Sequence, residues 1–326
     1  MGKNCLGITI LVFWVGVIAR GVQSPVRDIP SSSLSPEVFS HLPLLPAQQE
    51  SLRSFYSSRN YSRAEQLLVD ASARDSQSPE LLTIVGTLFF LDGKYLNCAV
   101  AMKKAEKIAP LADEDRFLLA MSYIVLNHRD WARPELEKLA RSNPNDARYP
   151  YWLGRIEFDL MQYTAAASHL RVALTIDPAF MKAYDNLGLT DEGLGQYDEA
   201  IRAYQHALSL NRAQEHPSAW PPLNLGTLLV KLGRLSAAEA CLQESLRYDP
   251  RFSKAHYEMG LLGEKEQKSD AALQELRSAA QYDPTDPECH YAMGGIYRRL
   301  GDKHKAAAEF AIFRKLKQAN PNVALH

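Results

Sequence analysis

A small residue returns through most of this chain every 34 positions: Gly86, Ala120, Gly154, Gly188, Gly226, Gly260 and Gly294. The one longer step, of 38, lies between Gly188 and Gly226. Glycine supplies only 17 of the 326 residues, so composition alone does not generate this register. A fixed period of this size requires stacked units, because one such unit cannot bury its own apolar face. It constrains the architecture before any other feature is read.

With the recurring small residue at position 8, units begin at Leu45, Pro79, Asp113, Ala147, Met181, Ala219, Ser253 and Pro287. Position 20 is Ala64, Ala132, Ala166, Ala200, Ala238, Ala272 and Ala306, with Cys98 in the second unit. Position 15 is glycine at Gly93, Gly195, Gly233 and Gly301, and position 32 is proline at Pro110, Pro144, Pro178, Pro250 and Pro284. Small residues let two helix axes approach, near the low end of the usual ~8–10 Å. Positions 8 and 20 therefore mark where the two helices of one unit are expected to cross. Glycine suits the left-handed residue that ends a helix. Proline stops the second helix because it lacks an N–H and clashes with the preceding turn. The segments between these stops carry apolar residues at spacings of three and four, the helical period.

The segments "YWLG", "DNLG", "LNLG", "YEMG" and "YAMGGIY", each followed by an alanine at position 20, resemble the tetratricopeptide repeat (TPR) family. The resemblance covers residues 45–320 and implies an all-α, right-handed α-solenoid of about eight helix-turn-helix repeats. The first unit departs from the pattern with Leu52 at position 8 and reads as an end repeat. The fifth has Arg212 in place of proline, then four extra residues, about one helical turn. "NRAQEHPSAWPP" thus reads as a lengthened helix or loop, and the junction as a bend.

Residues 1–21 read as a secretory signal peptide: Lys3, then an uncharged and mostly apolar stretch from Cys5 to Ala19, then small-residue cleavage positions. The stretch is short for a membrane span, which needs about 20 residues. Export to a periplasm or the cell exterior is expected, with an uncleaved N-terminal anchor as the alternative. In a eukaryotic secretory route Asn60-Tyr61-Ser62 would be a glycosylation acceptor. Residues 22–44 read as a Pro/Ser-rich flexible leader. A segment folded back into a groove is the alternative. Residues 321–326 form a short tail.

The 37 basic and 38 acidic residues leave a net charge of −1, without the basic stripe that a nucleic-acid partner requires. Cys98, Cys241 and Cys289 fall in different units, too far apart for disulfides within one chain, and read as small buried hydrophobes. No metal-binding, phosphate-loop or nucleophile-elbow motif occurs, so neither a metal, nor a cofactor, nor enzyme activity is expected. The adjacent Cys289 and His290 form no site: His290 and His256 both occupy position 4, which reads as a structural slot.

In TPR proteins positions 2, 5, 6, 9, 12 and 13 of the first helix line the concave face. The resemblance therefore implies a peptide- or protein-binding groove containing Tyr151, Trp152, Arg155, Lys182, Asn186, Trp220, Asn224, Tyr257 and Tyr291. Aromatic and arginine side chains are frequent binding hot spots. Asn186 and Asn224 share one slot, where an amide either meets the backbone of an extended peptide or bonds helix to helix. The second and third units place Phe90, Leu91, Phe117, Leu118 and Met121 at groove positions. This apolar patch is either a binding surface or buried by curvature or by the leader. No unit combines Lys at position 5 with Asn at position 9, so the family's clamp for a chaperone C-terminus is not expected. Phe310 should pack inside the last unit, while Phe313 would ordinarily meet a following helix, which implies self-association through that end. The reading is a non-enzymatic scaffold or adaptor for a protein or peptide. The alternatives are a membrane-associated assembly factor for envelope machinery (pili, outer-membrane proteins or polysaccharide export) and a non-catalytic subunit of an enzyme complex.

Overall fold

The computed structural model describes Leu34 and residues 37–42, 44–72 and 78–319. The expected signal peptide, residues 22–33, 35, 36 and 43 of the leader, and the tail lie outside the described residues. The described chain is all-α and contains no strand. Its helices are Pro46–Ser57 (α1), Tyr61–Ser72 (α2), Pro79–Leu91 (α3), Tyr95–Ile108 (α4), Asp113–Val125 (α5), Arg129–Ser142 (α6), Arg148–Asp159 (α7) and Tyr163–Ile176 (α8). Then come Met181–Gly193 (α9), Tyr197–Arg212 (α10), Trp220–Lys231 (α11), Leu235–Tyr248 (α12), Ser253–Lys265 (α13), Ser269–Tyr282 (α14), Glu288–Arg299 (α15) and Lys303–Ala319 (α16). Each odd-numbered helix starts within one residue of an expected unit boundary, and each packs against the even-numbered helix that follows it.

The described residues fall into two compact units, one ending at Gln214 and the other beginning at Glu215. The boundary lies in the segment with the extra residues. There α10 runs 16 residues, where α8 and α12 each run 14. Within the first unit the odd helices also touch one another (α3 with α5, α7 with α9). The same holds within the second (α11 with α13, α13 with α15).

Local chemistry explains these boundaries. Ser78 caps α3, its side chain accepting from the Leu81 N–H at 3.2 Å, with Pro79 following at the first helical position. Every first helix ends on a left-handed residue at position 15. Four are the glycines already noted, at φ 73–80°. The other four are Arg59, Asn127, Met161 and Gln267, at φ 57–63°. The reversal pairs the next N–H with a carbonyl five residues back: Gln196 N–H donates to Asp191 O and Gln162 N–H to Glu157 O, both at 2.8 Å. Second helices stop two residues before proline at Pro110, Pro144, Pro178, Pro250 and Pro284. The corners that follow are closed by aspartates, as where Asp286 accepts from the Glu288 N–H at 2.9 Å and Asp177 from the Ala179 N–H at 2.9 Å.

The helix crossing is refined in one respect. All position-20 residues are buried, yet the atoms nearest the position-8 glycine belong to position 24: Met102 at Gly86, Leu170 at Gly154, Tyr204 at Gly188, Leu242 at Gly226, Leu276 at Gly260 and Phe310 at Gly294. The small residue at position 8 makes room for a large side chain one turn beyond the alanine.

The end of the leader differs from a flexible segment. Leu34, Phe39 and Leu42 are buried in one apolar cluster with Leu52 of α1, Leu68 of α2 and Leu81, Val85 and Leu88 of α3. Phe39 meets the Tyr56 ring edge-on at 5.3 Å. Gln49 Nε2 donates to the carbonyls of Leu42 at 3.1 Å and of Ser40 at 3.3 Å. Among the described residues no repeat precedes the first, and these residues cover its apolar face.

Candidate functional site on the first helices

The groove residues of the first unit gather where α7 lies beside α9. Tyr151, Trp152 and Arg155 project from α7, and all three are buried. The Tyr151 ring packs edge-on against Trp152 at 5.4 Å and lies tilted against Phe180, just before α9, at 4.7 Å. Its hydroxyl accepts a long hydrogen bond from Asn186 Nδ2 at 3.4 Å. The same amide donates to the Lys182 carbonyl at 2.7 Å, one turn back on α9. The Asn186 amide thus links α9 to α7. The Arg155 guanidinium carbon lies 5.9 Å from the centre of the Trp152 ring, a cation–π arrangement. Burial holds the Tyr151 hydroxyl above the usual phenol range, while the nearby positive charge of Arg155 acts in the opposite direction. Lys182 is half-buried on the same helix face, and Asp185 is buried beside it.

In the second unit Trp220 opens α11, half-buried, with Phe252 edge-on at 4.9 Å and Lys254 Nζ 4.9 Å from its ring centre. Asn224 is buried on the same helix. Tyr257 is half-buried on α13 and packs on the cluster formed by α14 to α16, and burial raises its pKa. Tyr291 is 53% exposed on α15, with Phe310 at 5.8 Å and Phe313 at 5.2 Å. Phe313 therefore has a partner inside its own repeat, and so does Phe310.

The apolar patch needs correction as a surface. Phe90, Phe117, Leu118 and Met121 are all buried, and Leu91 is half-buried. Phe90, Phe117, Leu118 and Met121 belong to a core cluster that also holds Leu119, Tyr149, Leu153 and the groove residues Tyr151 and Trp152. Phe117 on α5 meets Tyr149 on α7 edge-on at 5.7 Å. Neighbouring first helices stand close enough for large side chains to fill the space between them, so this region is core and not an open face.

The remaining chemistry is structural. His256 pairs with Glu275 and His290 with Glu309, both at 2.7 Å, so position 4 repeats one contact in two successive units. Cys98, Cys241 and Cys289 form no disulfide, and burial pushes the Cys98 thiol up to about 12, which leaves it protonated and unreactive. No cluster of three metal-ligating side chains occurs among the described residues. No described helix is long and apolar enough to cross a membrane.

Two features escaped the reading of first-helix positions. Trp131, on second helix α6, is 52% exposed and stacks on His128 at 4.2 Å. Buried Glu157 and Asp191 share position 11 and receive Arg133 and His169, and Arg171, respectively. Charged residues at a core position of a helical pattern were the available signal for the second feature. An isolated Trp offers none.

Comparison with known proteins agrees with this geometry. Two tetratricopeptide repeat models match, one at residues 180–251 and one at 117–179 and 223–287. Together they span slightly more than half of the chain. Among curated proteins the chain is similar to the BBSome complex member BBS4 of Bos taurus, at 24% identity over 196 residues. That match takes in 56% of this chain, which spans only 30% of the relative's length. Among solved structures it is similar to a tetratricopeptide repeat protein from Parabacteroides merdae, with TM-score 0.62 and 16% identity over 79% of this chain and 98% of that one. It also resembles PilW, a type IV pilus biogenesis factor, with TM-score 0.57 and 21% identity over 65% of this chain and 94% of that one. With the 34-residue register, the paired helices and these matches, the chain belongs to the tetratricopeptide repeat family.

Proposed function

We propose that this protein is an exported, non-enzymatic scaffold that holds an extended segment of a protein partner against its first helices. Tetratricopeptide arrays are generally protein-binding scaffolds, which supports the coarse reading. The observation that carries the finer one is the row of Trp220, Tyr257 and Tyr291 on the first helices α11, α13 and α15, whose rings keep part of their surface exposed. Aromatic and guanidinium groups in well-packed settings dominate binding energy at protein interfaces. Export rests on Lys3 and the apolar stretch from Cys5 to Ala19.

The test is expression with the native N-terminus in a secreting host, followed by fractionation, N-terminal mass spectrometry and affinity capture. A soluble chain starting near Arg20 or Val22, with a recurrent partner lost on Tyr291→Ala, supports the exported scaffold. An intact Met1 in the membrane fraction would replace it with a membrane-associated assembly factor. Capture unaffected by substitutions of Trp220, Tyr257 and Tyr291 would move the binding face elsewhere.

A further inference from the structure

The solvent face of the second helices is polar by rule, and two adjacent repeats break that rule. Position 18 is serine, threonine, aspartate or histidine in seven units, but Leu96 in the second. Position 19 is alanine or a polar residue in seven units, but Trp131 in the third. Leu96 is 62% exposed and Trp131 52%, and Val100, one turn beyond Leu96 on α4, is 47% exposed. The other repeats fold without large apolar groups at positions 18 and 19, so packing does not select Leu96 or Trp131. Trp131 is also held still. Its ring stacks on His128 at 4.2 Å, 10° from parallel, and meets Tyr123 edge-on at 5.5 Å. An exposed aromatic already fixed in one orientation loses little entropy when a partner covers it. Tyr123, buried on α5, joins the two second helices. Burial raises its phenol pKa and the Lys103 charge opposes the rise, so α4 reaches it from one side as Trp131 of α6 does from the other.

We propose that this α4–α6 face binds an amphipathic helix of a partner protein, with its apolar stripe on Leu96, Val100 and Trp131 and its acidic residues on Lys104 and Lys107. The charge of the face selects the acids. Beyond Val100, α4 runs into Lys103, Lys104 and Lys107. Lys103 pairs with Glu106, which Arg116 also holds. Lys104 and Lys107 are exposed and form no ion pair among the described residues. On α6 the Glu135 carboxylate is taken up by Arg116 and Lys138. Apolar and cationic groups in one strip match apolar and anionic groups opposite. The backbone of the face selects the helix. The interiors of α4 and α6 have their N–H and C=O groups paired within each helix, so this surface offers side chains alone. A segment docking there must arrive with its own backbone bonds made, as a helix does and an extended strand does not. A second copy of this chain would set lysine against lysine. An anionic bilayer would meet Asp130, exposed next to Trp131. The inference stands apart from the first-helix row, because Leu96, Val100, Lys104, Lys107 and Trp131 all lie on second helices.

The test is selection of hydrocarbon-stapled helical peptides from a randomised library on the full chain, with affinities read by fluorescence anisotropy. The expected winners carry leucine, methionine or phenylalanine at spacings of three and four, flanked by aspartate or glutamate. Trp131→Ala should weaken them about tenfold or more, and so should Lys104→Glu combined with Lys107→Glu. Tyr291→Ala, in the first-helix row, should change affinity less than about twofold. The lysine variant reverses only exposed charges, so an unchanged melting temperature shows that its loss of binding is not a loss of fold. Exchange of the winners' acids for their amides should weaken binding to the native chain and leave binding to the lysine variant almost unchanged. No helical binder, basic winners, or affinities indifferent to both variants would overturn the inference. So would sedimentation with phosphatidylserine vesicles that Trp131→Ala abolishes, which would make the face a lipid contact. A concentration-dependent doubling of mass removed by Trp131→Ala would overturn it in favour of a second copy.

Discussion

A Cβ placed on Gly294 would lie 2.7 Å from Cε1 of Phe310, whereas one placed on its neighbour Gly295 would meet nothing within 4 Å. Two adjacent glycines in α15 thus have different reasons to be there. Gly294→Ala pushes α15 off α16 and should cost about 1–3 kcal/mol by overpacking. Gly295→Ala should stabilise by up to about 1 kcal/mol, since alanine is the better helix former. Thermal melts of both variants would test this. Equal shifts would show that the close approach at position 8 is not what selects the small residue.

Met161 has φ 57° and is 76% exposed, at the position that glycine occupies in four other repeats. A left-handed conformation costs a side chain about 1–2 kcal/mol, partly offset by the larger unfolded-state entropy of glycine. Met161→Gly should therefore gain about 0.5–1 kcal/mol in denaturant unfolding. Asn127→Gly should gain less, since asparagine tolerates this region. A destabilised Met161→Gly would contradict the turn geometry.

Burial, with the nearby Glu114 charge, raises the Asp115 carboxyl from its ordinary 3.8 to about 6. Because the folded value is the higher one, folding favours the protonated acid. Relative stability from this group is full below pH 3.8 and is lost as pH rises through 6. At pH 8 Asp115→Asn should stabilise by up to about 3 kcal/mol, reduced by the favourable placement of an acid in the first turn of α5. Below pH 3.8 the two proteins should melt together. A gain that does not shrink between pH 8 and pH 4 would place its origin elsewhere.

Phe39 fills the end of the array, fully buried. Phe39→Ala should cost about 3–5 kcal/mol locally. In stacked repeats that loss stays near the end where it occurs. Hydrogen exchange should accelerate in α1 to α3 and remain unchanged in α11 to α16. Unaltered exchange in α1 would show that this segment adds nothing to the first repeat.

The sequence by itself determined the register, the eight helix pairs and their boundaries. Those depend on local rules: a left-handed turn residue after one helix, proline after the next, a small residue at a crossing. Each acts within a few residues of where it stands, so Gly195 or Pro178 can be read without knowing the partner helix. Even so, Met161 and Gln267 occupy the turn position without announcing it, because the tertiary pairing of the helices enforces the conformation. Tertiary structure alone decided how deeply the first helices bury their faces. Phe117 and Met121 became core because α5 sits against its neighbours more closely than a periodic pattern can show. Asn186 turned inward to Tyr151, thirty-five residues away, and Phe39 found its place on an end face that no sequence window contains. Arg155 shows the same division: its position in the repeat is legible from spacing, but that it lies buried with an unpartnered Nε depends on atoms brought together only by folding.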